Sequence, residues 1–199
     1  GSECVLSILE DSSRRVWIGT DGDGIYRLNA DREVDRHYTA DKLPAGVVLT
    51  IFEDSRGRIW LGTYLHGLFL YDERSDSFQS IRLQTGGREI KDIYIIEENT
   101  DGTLWIGTND GGLNLYVPGA QKFIHYALQE SQREDGLGSN NIKSVYVDEP
   151  RGLVYIGAHA GGLSILHRNS GRMENFNQLN SPLINENVYA ILPDGENNF

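Results

Sequence analysis

Short runs of apolar residues, many of them β-branched or aromatic, recur along the chain and are broken by Gly, Asp, Asn and Ser. Alternation inside these runs is that of a half-buried strand and not of a helix face. One run type reads VWIGT from Val16, IWLGT from Ile59, LWIGT from Leu104 and VYIGA from Val154. A second lies upstream of each: VLSIL from Val5, VLTIF from Val48, IKDIY from Ile90 and IKSVY from Ile142. The anchors Trp17, Trp60, Trp105 and Tyr155 are spaced by about 43 to 50 residues, a period that fits four short strands and their turns, the size of a propeller blade.

Turn signals separate the two runs: Glu53 to Gly57, Glu98 to Gly102, Asp148 to Gly152 and the glycine-free Asp11 to Arg15. Gly supplies a positive φ and Asp caps its own turn, so each reads as a hairpin connection. A third strand follows in IYRL, LFLY, LNLY and LSIL, and a short outer fourth in His37-Tyr38, Phe78 to Ile81, Phe123 to Tyr126 and Asn175-Phe176. The pattern predicts an all-β chain, a β-propeller fragment of four four-stranded blades over 3–40, 46–82, 88–127 and 140–177. The first strand of a fifth opens at Val188 within 186–199 and is not completed, which reads as a piece of a longer array, with Gly1-Ser2 as a cloning remnant. Trp17, Trp60 and Trp105 are expected to pack between blades, with an indole approaching the mid-strand glycines. Each repeat buries its surface against its neighbours, so bare blade faces at the ends predict self-association, a homodimer included.

The stretch Glu53 to Thr63, with its acidic turn, glycine, tryptophan and Gly-Thr, resembles the two-component regulator propeller repeat. The resemblance extends over nearly the whole chain, with Tyr155 and Ala158 in place of Trp and Thr in the last copy. It implies an extracytoplasmic, periplasmic sensor region of a hybrid two-component histidine kinase whose parent is membrane-anchored, and an oligosaccharide as ligand.

Eighteen basic residues stand against 29 acidic ones, a formal charge of −11 with no basic run, which disfavours nucleic acid as a partner. The lone cysteine, Cys4, excludes an internal disulfide. No histidine pair has ligand spacing and no carboxylate pair leaves the repeat register, so no metal, cofactor or catalytic residue is expected. Glu97-Glu98 read as solvated loop ends, and Asp92 as a carboxylate in the column of Ser7, Thr50, Ser144 and Ala190 on the innermost strand.

Function is expected where the copies differ. In a four-stranded meander the loop between strands two and three and the connection to the next blade emerge at one end. Polar residues there form a surface for sugar hydroxyls: Tyr64, His66, Asn109, Asp110 and His159 from the first loop type, Arg88 and Asn141 from the second. Tyr64 is the aromatic that would stack on a pyranose. Three readings follow from the residues: a ligand-sensing module, purely structural or dimerisation blades, and a fragment of a propeller glycosidase or lyase.

Overall fold

A computed structural model of the chain describes residues 4–85, 87–120, 122–128 and 136–194. Gly1-Ser2 and the last residues of the fifth copy lie outside the described residues. The first sheet holds β1 (Val5–Glu10), β2 (Val16–Thr20), β3 (Ile25–Leu28) and β4 (Val34–Tyr38). The second holds β5 (Val48–Glu53), β6 (Ile59–Thr63), β7 (Leu68–Asp72) and β8 (Ser77–Ile81). A two-stranded hairpin, β9 (Gln84–Thr85) and β10 (Arg88–Glu89), then precedes the third, with β11 (Ile93–Glu98), β12 (Leu104–Thr108), β13 (Leu113–Val117) and β14 (Lys122–Tyr126). The fourth is β15 (Ile142–Asp148), β16 (Leu153–Ala158), β17 (Leu163–His167) and β18 (Met173–Phe176). Strand order in each four-stranded sheet is the chain order, the meander of a propeller blade. The chain divides into two compact units, Gly1–Ile96 and Glu97–Phe199.

Each turn between the first two strands is built on a buried side chain. Asp54 accepts Arg56 N–H and Arg58 N–H on Oδ1 at 3.0 Å each, and the Trp60 indole N–H on Oδ2 at 2.8 Å. Asp11 does the same for Ser13, Arg15 and Trp17, and Asn99 Oδ1 takes the Trp105 indole at 2.8 Å. The recurring Asp is thus a turn-former that also fixes the adjacent core tryptophan. Burial works against the Asp11 carboxylate, but the Trp17 and Arg15 hydrogen bonds hold its pKa below the usual value.

In the first unit Trp17 lies in an aromatic cluster with Tyr38 stacked at 6.1 Å and Tyr71 edge-on at 5.0 Å. Phe78 closes it, and the guanidinium of Arg27 stands 5.4 Å from the indole centroid. Trp17 thus packs between the first two sheets, as expected.

The mid-strand glycines have a different cause from the one expected. Backbone from the next blade's first strand, not an indole, approaches them. A Cβ on Gly19 would come 2.9 Å from Val48 O, on Gly62 2.8 Å from Ile93 O, and on Gly157 2.6 Å from Val188 O. This contact places Val48, Ile93 and Val188 at one repeat position and corrects the register of the third copy. Its first strand begins at Ile93 and not at Ile90. Asp92 therefore lies just before the strand, at the position of Val47, Asn141 and Asn187, and outside the column of Ser7, Thr50 and Ser144. Glu97, expected at a solvated loop end, lies within β11 at the position of Phe52, half-buried, and burial pushes its carboxyl up to about 7.

Residues 186–194 form no ladder among the described residues. Val188 nonetheless covers Gly157 and donates to Ala158 O at 3.0 Å, taking the place of the first strand of a further blade. The opposite face, on β1, is open. Val5 and Ile8 are 51% and 67% exposed, whereas their counterparts Val48 and Ile51 are 0% and 8% exposed.

Candidate functional site

At the end of each blade away from the tryptophan turns, the loop between the second and third strands is locked to the connection that leads into the next blade. Thr63 Oγ1 donates to Gly67 O at 2.7 Å, as Thr20 does to Gly24 and Thr108 to Gly112. The loop glycines are left-handed, and a Cβ on Gly24, Gly112 or Gly162 would strike the carbonyl of Tyr38, Tyr126 or Phe176. In the first unit Gly24 N–H bonds Gly46 O at 2.9 Å and Gly67 N–H bonds Lys91 O at 2.7 Å. In the second, Gly112 N–H bonds Asn140 O at 3.0 Å and Gly162 N–H bonds Glu186 O at 2.9 Å. Loops held this way are rigid mounts for variable side chains.

In the first unit, the Tyr64 N–H donates to Val47 O at 3.2 Å and its ring is exposed. Leu65, exposed and left-handed at φ 66°, donates its N–H to Asp92 Oδ1 at 2.6 Å. A non-glycine residue in that conformation stores strain, and strain of this kind collects at functional sites. His66 Nδ1 sits 3.0 Å from Tyr64 O. Arg88 lies on the β9–β10 hairpin of the following connection and is exposed. Burial raises the Tyr94 phenol, with the Asp92 carboxylate and Tyr64 adding to the shift, so these three groups are neighbours.

In the second unit, the His159 N–H donates to Asn141 O at 2.9 Å, which joins two of the residues singled out from sequence. Asn141 Oδ1 is buried and accepts no hydrogen bond among the described residues. Asp110 is exposed and Asn109 half-buried on the neighbouring loop, which the Gly112 to Asn140 bond ties to the same connection. His159 Nδ1 lies 3.2 Å from the Tyr189 hydroxyl, and that tyrosine is 60% exposed. His125 Nδ1 meets the buried Asn114 Oδ1 at 2.8 Å, and burial lowers the imidazole pKa.

Tyr94 and Tyr189 occupy one repeat position, the residue after the strand start, shared with Leu6, Leu49 and Lys143. The ladders of β1, β5 and β15 shift register across that residue, between Val5 and Ser7, Val48 and Thr50, and Ile142 and Ser144. A bulge re-aims the side chain it carries, and bulges gather beside binding sites. Sequence reasoning missed both tyrosines. Counting back twelve residues from each tryptophan finds the strand start in the first three copies and would have exposed Tyr94.

A polar cleft of about 330 Å³ opens at the same end of the fourth blade, lined by Leu128, Gly138, Ala160, Gly161, Asn175, Asn177 and Glu186. Asn175 Nδ2 donates to Gly161 O at 3.0 Å and to Ser164 Oγ at 3.1 Å, and Asn177 Nδ2 to Asn175 Oδ1 at 3.3 Å. The repeat pattern had pointed to His159 beside this cleft but not to Glu186 or the two asparagines.

The two component regulator propeller family matches the chain over residues 1–22 and 42–65. Among solved structures, the chain is similar to the extracellular domain of the hybrid two-component system BT3049 of B. thetaiotaomicron, with 30% identity and a TM-score of 0.75 over 90% of this chain and 23% of that one. The corresponding domain of BT4673 from the same organism gives 18% identity and a TM-score of 0.68 over 89% of this chain and 24% of that one. Virginiamycin B lyase from Staphylococcus aureus shares the fold at 16% identity, with a TM-score of 0.55 over 82% of this chain and 55% of the enzyme. The chain spans about a quarter of the length of the two-component structures it resembles. A comparison with curated proteins gives no match.

Proposed function

We propose that these blades belong to the extracytoplasmic ligand-sensing region of a hybrid two-component sensor histidine kinase, which recognises an oligosaccharide and performs no chemistry on it. The observation that carries this reading is the contrast between the two ends of each blade. At one end the first three copies repeat the same buried carboxylate or amide on the same indole. At the other, equally rigid loops present Tyr64, His66, Asn109, Asp110 and His159, which differ from copy to copy. An enzyme of this fold would need acid and base groups in a fixed pair. The loop ends offer aromatic faces and amides instead, the groups that bind hydroxylated rings.

Similarity to the extracellular domain of BT3049 supports the same assignment. Sensing would follow from differential affinity: a ligand that binds one arrangement of the receptor better shifts its population, and the kinase reads the shift.

Calorimetric titration of the intact ectodomain with neutral and acidic oligosaccharides tests the reading, alongside kinase phosphorylation in the full receptor. Saturable binding that changes phosphorylation is the expected result. A receptor whose phosphorylation responds to no saccharide, and whose ectodomain binds none, would remove the sensor assignment and leave a structural role for the blades.

A further inference from the structure

The cleft at the end of the fourth blade is a built concavity that the repeat does not require. Its volume of about 330 Å³ falls at the low end of ligand pockets, about 300 to 1,000 Å³. Its floor is formed by close backbone approach, since a Cβ on Gly138 would strike Gly161 O and one on Gly161 would come 2.7 Å from Ser139 N. Two glycines in register are what allow the connection and the loop to meet there.

The chemistry of the lining is one-sided. The backbone carbonyl of Glu186 is occupied by Gly161 N–H and Gly162 N–H, which fixes the residue in place. Its side chain belongs to a half-buried residue and has no hydrogen-bond or ionic partner among the described residues, and none of the described residues that line the cleft is Lys, Arg or His. A carboxylate on the wall of a polar cavity, without a partner of its own, is an acceptor for ligand donors. Asn175 and Asn177 are orientated by each other and by Ser164 and Gly161, so their amides are preorganised, and Asn177 keeps one amide hydrogen and one oxygen lone pair unspent. Leu128 and Ala160 supply an apolar wall for C–H groups.

Resting on the sensor reading above, we infer that this cleft binds one uncharged sugar unit of the ligand, through hydroxyls donated to Glu186 and Asn177, and that it rejects uronates and sulfated sugars. Rejection follows from charge: a ligand anion placed here would meet the Glu186 carboxylate with no cation among the described lining residues to offset it, in a protein of net charge −11.

Isothermal titration of the intact ectodomain with neutral gluco-, manno-, xylo- and galacto-tetrasaccharides and with a tetragalacturonate tests it. The parent should bind at least one neutral member and not the uronate. Glu186→Gln preserves shape and should weaken the neutral ligand about tenfold, the loss expected for a hydrogen bond to a charged group. Asn177→Ala should also weaken it, whereas Glu186→Lys should abolish neutral binding and admit the uronate. A neutral ligand that binds Glu186→Gln and Asn177→Ala as tightly as the parent would overturn the cleft and leave the sensor reading standing. Tighter binding of the uronate to the parent would overturn the charge assignment, and no binding by any member would overturn both.

Discussion

The Trp60 indole N–H donates to Asp54 Oδ2 at 2.8 Å, and both side chains are buried. A residue that a sequence pattern files as a turn former is therefore the fixed partner of the largest side chain in the blade. Arg58 closes the arrangement, its Nε 2.6 Å from the same oxygen and its guanidinium 5.1 Å from the indole centroid.

Asp54→Ala should cost about 3 kcal/mol, because it orphans a buried indole N–H and two backbone N–H groups at once. Asp54→Asn should cost much less, since Asn99 already performs this task for Trp105 in the third blade. Urea unfolding midpoints of the two variants separate them, and equal losses would show that the negative charge, not the hydrogen bonds, matters.

Gly62→Ala should destabilise by about 3 kcal/mol through overpacking. The new methyl would lie 2.5 Å from Thr50 Cγ2 and 2.8 Å from Ile93 O, and the second of these is strand backbone that cannot swing aside. Gly171→Ala is the control for left-handed strain alone, having a positive φ but open space around its Cβ position. It should cost about 1 kcal/mol, and a thermal melt that finds the two equal would refute the close-approach argument.

Much of this was legible in the residues, and the failures have one origin. The blades, the outer strands at Phe78, Phe123 and Phe176, and the tryptophan packing follow from periodicity, because each blade repeats the same burial. Register slipped in the third copy because Ile90-Lys91-Asp92-Ile93-Tyr94 imitates the apolar spacing of Ile142 to Tyr146, and apolar spacing alone does not say which residue covers a glycine. That slip hid Tyr94, moved Asp92 onto a strand and left Glu97 at a loop end. Glu186 was out of reach for another reason: a cleft is made by connections whose course no periodicity fixes.

Glu97 makes stability depend on pH. Its carboxyl is pushed up to about 7 by burial, from an ordinary value of 4.5. The folded state therefore binds the proton more tightly than the unfolded state, so the contribution is full below about pH 4.5 and is lost as pH rises through 7. Unfolding free energy should fall by about 1 to 3 kcal/mol across that window. Glu97→Gln should flatten the profile, and a variant with the parent's slope would assign the slope to other groups.

Tyr64→Ala should leave the unfolding midpoint within about 0.5 kcal/mol of the parent, as an exposed ring carries little of the core. Under the proposed function it should weaken oligosaccharide binding by removing a stacking face. Unchanged affinity in titration would take the ligand off this loop.

The open face on β1 should make the isolated chain self-associate. Ile8→Glu should shift it towards monomer without lowering its melting temperature, because Ile8 is 67% exposed. Analytical ultracentrifugation across a dilution series decides it, and a parent that is monomeric at every concentration would count against the idea.

The seat that Gly19 offers to Val48, and Gly157 to Val188, has a direction. The first, second and fourth blades each seat a branched side chain of the following segment on a glycine, so contacts of this type join unlike surfaces. Copies that meet through them are related head to tail, which gives a closed ring or an open fibre and never a two-fold pair. A symmetric receptor dimer would have to find its axis elsewhere, on surfaces the repeat leaves free to vary.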